Sequence, residues 1–424
     1  MAVPSSGEIS FNDINIVAGK PSGSEVNFGE LGLGAGFVEE DLNMGRFHGW
    51  FPNLIATGSY LTAQSPAYSN DCGRTWKEFD MTGWSAFRLS GTGFNDTHGQ
   101  GTRDGETYGF TGQSVNNVSL TGTRRTFISR DHGITYEHKD VSANAYVIVF
   151  PEDPSTSSYI GNGYAWNYNK GRSLDDSSTW VTTTNTTVMA PAISCSSSGQ
   201  YVYGCGHNGW CKRSSDYGAT WNEFLSSFGA AGFATCDDSG QNLIAFITSA
   251  TGRFAISTNY ASSWSTVVSN AWCYGYISPD GNFMVYTNGT AHTLNYSTNQ
   301  GYSWTSIDIS TEFPNTERVW CYGNGSNDTV FISPYNQSST KVYYYTKGDS
   351  GITEAYDYSS ELSGKFIYRS IPSKFKADGQ QMLLTRDMSG NLYHIPDVFG
   401  TPVATKIWDA DVKEGDQTTF FFQY

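Results

Sequence analysis

The sequence predicts an all-β protein: a β-propeller of seven or eight four-stranded blades over residues 36–424, behind a short N-terminal docking segment, residues 1–35. Three observations predict it. Only 38% of residues are hydrophobic and 15% charged, while Gly (46), Tyr (27) and Phe (25) abound. Turn formers mixed with aromatic and β-branched residues favour many short strands over helices. An eight-residue motif (Ser, any, Asp, any, Gly, any, Thr, Trp) recurs along the chain. Its Asp or Asn positions lie 60, 44, 41, 43, 40 and 50 residues apart, the period of a propeller blade.

The cleanest copies are Ser69 to Trp76, with Asp71 and Gly73, and Ser214 to Trp221, with Asp216 and Gly218. Ser129 to Tyr136 keeps Asp131 and Gly133, and Ser173 to Trp180 keeps Asp175 with Ser177 in the Gly place. Ser257 to Trp264 and Ser297 to Trp304 carry Asn259 and Asn299 for Asp; the latter keeps Gly301. A worn copy runs from Lys347 through Asp349, Gly351 and Thr353. The long first step matches two Gly-rich stretches read as loop insertions in the second unit, Gly91–Gly105 and Gln113–Gly122.

The motif suits a turn between strands. An Asp or Asn side-chain oxygen accepts backbone N–H bonds a few residues on, and Gly supplies a positive φ without a Cβ clash. The Ser and Thr hydroxyls satisfy leftover backbone groups, and the Trp plugs the seam between blades. In the fourth unit, strands are expected near Ala192–Ser196, Tyr201–Cys205, Cys211–Ser214 and Thr220–Phe224, with a turn at Ser198-Gly199. That first turn recurs at Asp238-Ser239-Gly240-Gln241, Pro279-Asp280-Gly281-Asn282 and Ala377-Asp378-Gly379-Gln380, the last implying an eighth unit.

These copies resemble the Asp-box, or BNR, repeat of sialidases, sortilin-type receptors and some glycoside hydrolases. The resemblance implies boxes on the blade periphery, so Asp71, Asp131, Asp175 and Asp216 are structural rather than catalytic. It also implies, for a sialidase, an Arg-Ile-Pro element before the first box. Here Arg46 is followed by Phe47 and His48, and the nearest match, Tyr368 to Pro372, stands at the other end. No catalytic residue is assigned, and a glycan hydrolase stays as the alternative. Asp96, His98, Arg103, Asp104 and Glu106 cluster in the second unit, where a solvated polar loop competes with a calcium or catalytic loop.

Charge excludes other classes. A formal net charge of −15 repels phosphate backbones, so no nucleic-acid partner is expected, and no stretch has the apolar length of a membrane span. Neither a cofactor nor a metal is expected. The seven cysteines (Cys72, Cys195, Cys205, Cys211, Cys236, Cys273, Cys321) lack metal-ligand spacing. They read as small buried hydrophobes of a chain made in a reducing cytoplasm, with a Cys205–Cys211 hairpin disulfide left open. The start of the chain shows no signal-peptide pattern, so synthesis in a cytoplasm is expected.

Residues 8–14, Glu-Ile-Ser-Phe-Asn-Asp-Ile, realign on residues 25–31, Glu-Val-Asn-Phe-Gly-Glu-Leu. Each copy reads as a short strand running into a turn, with too little apolar area for a core of its own. Ile9, Phe11, Ile14, Val26, Phe28 and Leu31 are therefore expected to dock on a partner, a cap over the propeller being the plainer alternative. The string Pro4 to Ile14 resembles the N-termini of tailed-bacteriophage virion proteins. That resemblance implies a virion location, other tail proteins as partners, a homo-oligomeric arrangement in the particle, and host-surface glycan as a ligand. Binding loops are expected opposite the boxes. Tyr164, Trp166 and Tyr168 in the third unit, with His207, Asn208 and Trp210 in the fourth, offer aromatic faces for sugar rings and polar groups for hydroxyls.

Overall fold

A computed structural model describes side chains over residues 194–204, 211–224, 233–246, 252–314, 319–334, 339–362, 381–388 and 391–406, with a few single positions between 364 and 372. Elsewhere it describes only the backbone of strands, between 54 and 183, over 418–423, and at the strand positions 192–193, 205, 225, 232, 247, 369, 371 and 407–408. The docking residues Ile9, Phe11, Ile14, Val26, Phe28 and Leu31 lie outside the described residues.

The strands assemble into eight antiparallel sheets. The first joins Leu54–Ser59 (β1), Ala67–Ser69 (β2) and Lys77–Glu78 (β3) to a strand from the far end of the chain. The second contains Phe87–Leu89 (β4), Gly99–Gly101 (β5), Tyr108–Ser114 (β6), Arg124–Ser129 (β7) and Glu137–Val141 (β8). The third runs Val147–Val149 (β9), Tyr159–Asn162 (β10), Lys170–Ser173 (β11) and Val181–Thr183 (β12). Ala192–Cys195 (β13), Val202–Cys205 (β14), Cys211–Ser214 (β15) and Asn222–Leu225 (β16) make the fourth. The fifth holds Gly232–Cys236 (β17), Leu243–Ile247 (β18), Arg253–Ser257 (β19) and Ser265–Ser269 (β20).

The sixth holds Cys273–Ile277 (β21), Met284–Asn288 (β22), Thr293–Ser297 (β23) and Thr305–Asp308 (β24). The seventh is Val319–Gly323 (β25), Thr329–Pro334 (β26), Lys341–Thr346 (β27) and Thr353–Asp357 (β28). Ile367–Pro372 (β29), Leu383–Asp387 (β30), Leu392–Ile395 (β31) and Thr405–Trp408 (β32) complete the eighth, and Thr418–Gln423 (β33) is the strand that returns to β1.

The leading strand of each sheet packs on that of the next, from β33 through β5, β9, β13, β17, β21 and β25 to β29. This is a β-propeller, with those strands innermost. Two features lay beyond the repeat. The innermost strand of the first sheet is β33, paired with β1 from Leu54↔Gln423 to Ser59↔Thr418, so the two ends of the described chain close one sheet. In the second sheet β4 and β5 pair with opposite ends of the same strand, β4 on Gly112–Ser114 and β5 on Tyr108–Phe110. The stretch expected as a loop, Gly91–Gly105, therefore contains a strand. Its extra residues interrupt an inner strand, which lengthens the first step of the repeat.

Seams between sheets hold the core. Phe283, Leu294, Val319, Val330 and Ile332 form one cluster between the sixth and seventh sheets, and Val342, Ile367, Leu383 and Ile395 another between the seventh and eighth. Alternation along each strand sends successive side chains to opposite neighbours, so an inner strand such as β26 is buried throughout. The outer strands β20 and β24 are polar and largely exposed. Register shifts at Cys211/Lys212, Phe254/Ala255, Val342/Tyr343 and Leu392/Tyr393 fall where third and fourth strands pair. Bulges and polar side chains at an edge discourage pairing with a second molecule.

Candidate functional site

The recurring motif builds one turn three times among the described residues, each between third and fourth strands. In the fourth sheet, buried Ser214 donates its hydroxyl to Asp216 Oδ1 at 2.7 Å and accepts from the backbone N–H of Gly218 at 2.8 Å. Asp216 Oδ1 accepts from Thr220 N–H at 2.8 Å, and its Oδ2 from the Thr220 hydroxyl at 2.6 Å. Trp221 Nε1 donates to the Gly218 carbonyl at 3.0 Å, which fixes the indole at 7% exposure.

Asparagine copies keep the geometry with one bond reversed. Asn259 and Asn299 accept through Oδ1 from Ser263 and Ser303 N–H, at 2.9 and 3.0 Å. Their Nδ2 groups then donate to the Ser263 and Ser303 hydroxyls, at 2.8 and 2.9 Å. An amide supplies both roles, so Asn serves where Asp did. Two successive residues of each turn take positive φ: Tyr217 and Gly218, Tyr260 and Ala261, Gln300 and Gly301.

Ala261 occupies the Gly place at φ 60, a conformation that costs an L-residue about 1–2 kcal/mol. In that same copy Trp264 Nε1 is buried without an acceptor. Its ring instead stacks on Phe224 of the preceding sheet, centroids 5.3 Å apart. Trp304 meets Phe254 of the preceding sheet edge-on at 5.6 Å. These two tryptophans thus plug the seams, as expected.

The first turns of the sheets tie the same end of neighbouring blades together. Ser197 N–H donates to the Asp238 carbonyl at 2.8 Å, Asp238 N–H to the Pro279 carbonyl at 2.9 Å, and Asp280 N–H to Asn327 Oδ1 at 3.2 Å. Gly199, Gly240 and Gly281 take φ of 72, 74 and 71 in these turns. Tyr203 and Tyr276 hydroxyls cross to the next sheet, onto the Gly240 and Ser326 carbonyls at 2.6 and 2.9 Å. Arg213 donates to the Tyr260 carbonyl of the neighbouring turn. All of these groups are spent on scaffold.

The last two sheets depart from the pattern. In the seventh, Lys347 and Glu354 stand where the motif has Ser and Trp. Asp349 Oδ2 reaches only Thr346 N–H, at 3.3 Å, and Glu354 forms an exposed ion pair with Lys341 at 2.7 Å. In the eighth, a longer connection, 396–404, replaces the turn; Val403 is 61% exposed and Phe399 packs on Tyr344 at 5.1 Å.

Of the other expected residues, Asp71, Gly73, Trp76, Asp131, Gly133, Asp175 and Trp180 lie outside the described residues. So do all six candidate binding residues, Tyr164, Trp166, Tyr168, His207, Asn208 and Trp210. Among the described residues no three His, Cys, Asp or Glu side chains gather as a metal would require. Cys195, Cys236, Cys273 and Cys321 are free thiols. Burial pushes Cys273 up to about 12 and Cys236 and Cys321 further, which disfavours the thiolate of these three at neutral pH. Cys211 differs: it is disulfide-bonded.

No family model matches the chain, and no curated protein does. Solved structures do. The chain is similar to "YCF48 bound to D1 peptide" at 13% identity and TM-score 0.42, over 67% of this chain and 94% of that one. It is similar to the GH74 xyloglucanase of Xanthomonas campestris at 11% identity and TM-score 0.40, over 84% of this chain and 60% of that one. The Cps50 (Swd1) propeller domain of Myceliophteria thermophila follows at 8% identity and TM-score 0.44, over 64% and 87%. These likenesses concern the β-propeller fold alone.

Proposed function

We propose that this chain is a phage virion structural protein, a tail tip, short spike or decoration. Its residues 1–35 dock on another virion protein, and its propeller, eight blades carrying Asp-box turns, presents loops to host-surface glycan. The duplicated strand-turn unit in residues 8–31 carries the reading. Six apolar side chains at matched positions, each worth about 1.5–3 kcal/mol on burial, suffice to anchor a partner. The pairing of β1 with β33 supports it, since the first sheet has its four strands without calling on residues 1–35. The regular turns support the scaffold half: their polar groups satisfy one another and leave function to the variable connections.

The test is to purify particles from an infected culture and blot for this chain, beside a chain lacking residues 1–34. The proposal expects the full chain in the particle fraction and the shortened one in the soluble fraction, folded. A full chain that stays soluble while hydrolysing a glycan would overturn it in favour of an enzyme.

A further inference from the structure

We propose that Cys205 and Cys211 form a cross-strand disulfide that locks the β14–β15 hairpin once the chain leaves a reducing compartment. Cys211 is buried and disulfide-bonded. The ladder sets Cys205 directly opposite it, in the last pair before the connection between the two strands. Directly opposed residues of an antiparallel pair lie about 4.5–5.5 Å apart at Cα, within the span a disulfide bridges.

Four other cysteines are free, and none is matched in this way: Cys195 pairs with Val202, Cys236 with Leu243, Cys273 with Asn288 and Cys321 with Ile332. Register thus selects one pair. The reaction needs an oxidant, here a small-molecule disulfide. The thiolate of one cysteine attacks it, forming a mixed disulfide and expelling one thiolate. The second cysteine attacks the mixed disulfide and expels the other. Two protons pass from the protein's thiols to the two small thiols released. Glutathione in a cytoplasm holds such a pair reduced, and an extracellular setting keeps it oxidised. The hairpin is therefore looser during synthesis than after release.

The full chain, incubated with oxidised glutathione, is unfolded without reductant, alkylated and mapped by mass spectrometry. The expected result is a linked Cys205–Cys211 peptide with Cys195, Cys236, Cys273 and Cys321 alkylated. Alkylation of Cys205 and Cys211, or a bond from Cys211 to Cys72, overturns the proposal. A second measurement reads the consequence. A phosphine reductant should lower the melting midpoint of the oxidised chain by roughly 2–5 °C and speed protease cleavage between the two strands. A C205S/C211S chain should respond to neither. Equal responses of the two chains would sink the lock as well.

Discussion

From the fourth sheet to the sixth every third-to-fourth strand turn is built on one plan; in the seventh and eighth it is not. Ser214–Trp221, Ser257–Trp264 and Ser297–Trp304 each enclose their own hydrogen bonds and bury an indole wholly or in part, Trp264 and Trp304 against an aromatic ring of the preceding sheet. The Lys347–Glu354 turn has traded its indole for an exposed ion pair, and the 396–404 connection presents Val403 to solvent. Yet the seam before the eighth sheet is as well filled as the others, by Phe331, Val342, Tyr358, Leu383 and Ile395. Strand packing thus sustains the blade, and the boxed turn is a reinforcement. Where it lapses, the surface is released for other use.

The two kinds of turn should diverge most at the indole. Trp221→Ala should destabilise by about 3–5 kcal/mol, because it empties a buried aromatic site. Glu354→Ala, at the matching place of the seventh sheet, should stay within about 0.5 kcal/mol, its ion pair being exposed. Urea unfolding of both variants checks this. Equal losses would mean that the two turns do the same job.

A smaller contrast separates two glycines. A Cβ at Gly301, at φ 83, would overlap Ile256 Cδ1, whereas one at Gly348, at φ 102, meets nothing within 4 Å. Gly301→Ala should therefore cost about 2–4 kcal/mol, strain and overpacking together. Gly348→Ala should cost only the strain, about 1 kcal/mol. Thermal melts of the pair decide it.

Next come the polar hubs. Asn299→Ala removes the acceptor of the exposed Ser303 N–H and of the buried Ser297 hydroxyl, for a loss of about 1–2 kcal/mol. Asp349→Ala removes one long, exposed bond and should fall within about 0.5 kcal/mol in the same assay.

The smallest effect is acid sensitivity. Desolvation works against the Asp280 carboxylate, but the Ser278 hydroxyl and the Asn282 side-chain and backbone N–H groups outweigh it, with Lys347 beyond. Its pKa is thereby held below the ordinary value. A depressed folded pKa contributes stability that is complete above the unfolded value, about 3.9, and vanishes as pH falls through the folded one. Asp280 is exposed, so screening limits this to a few tenths of a kcal/mol, roughly. Asp280→Asn should flatten the stability profile below about pH 4 and lose those few tenths at neutral pH, where the carboxylate's contribution is complete.

Much of this was legible in the sequence because it is local and repeated. The third strand of the fourth unit was expected at Cys211–Ser214 and lies there, and the first, expected at Ala192–Ser196, runs Ala192–Cys195. The fourth, expected from Thr220, begins at Asn222, because Thr220 and Trp221 are still engaged in the turn. Closure by β33 was not legible. Thr418–Gln423 and Leu54–Ser59 sit at opposite ends of the chain, and a pairing so distant leaves no period to read. The split inner strand of the second sheet was hidden for the same reason: β5 is three residues, two of them Gly, which resembles a loop by composition. The missing acceptor of Trp264 was equally silent, since that copy keeps the same Trp in the same place.

Hydrogen exchange on the full chain tests the comparison most directly. The backbone N–H groups of Gly218, Thr220, Ala261, Ser263, Gly301 and Ser303 all donate to side-chain oxygens of their own turns, three of them to the buried hydroxyls of Ser214, Ser257 and Ser297. They should exchange about as slowly as the strands they join, while Ser350, Gly351, Thr401 and Val403 exchange within the earliest time points. If the amides of the three boxed turns exchange as fast as those of Ser350 and Val403, the boxed turns are not the reinforcement of this propeller.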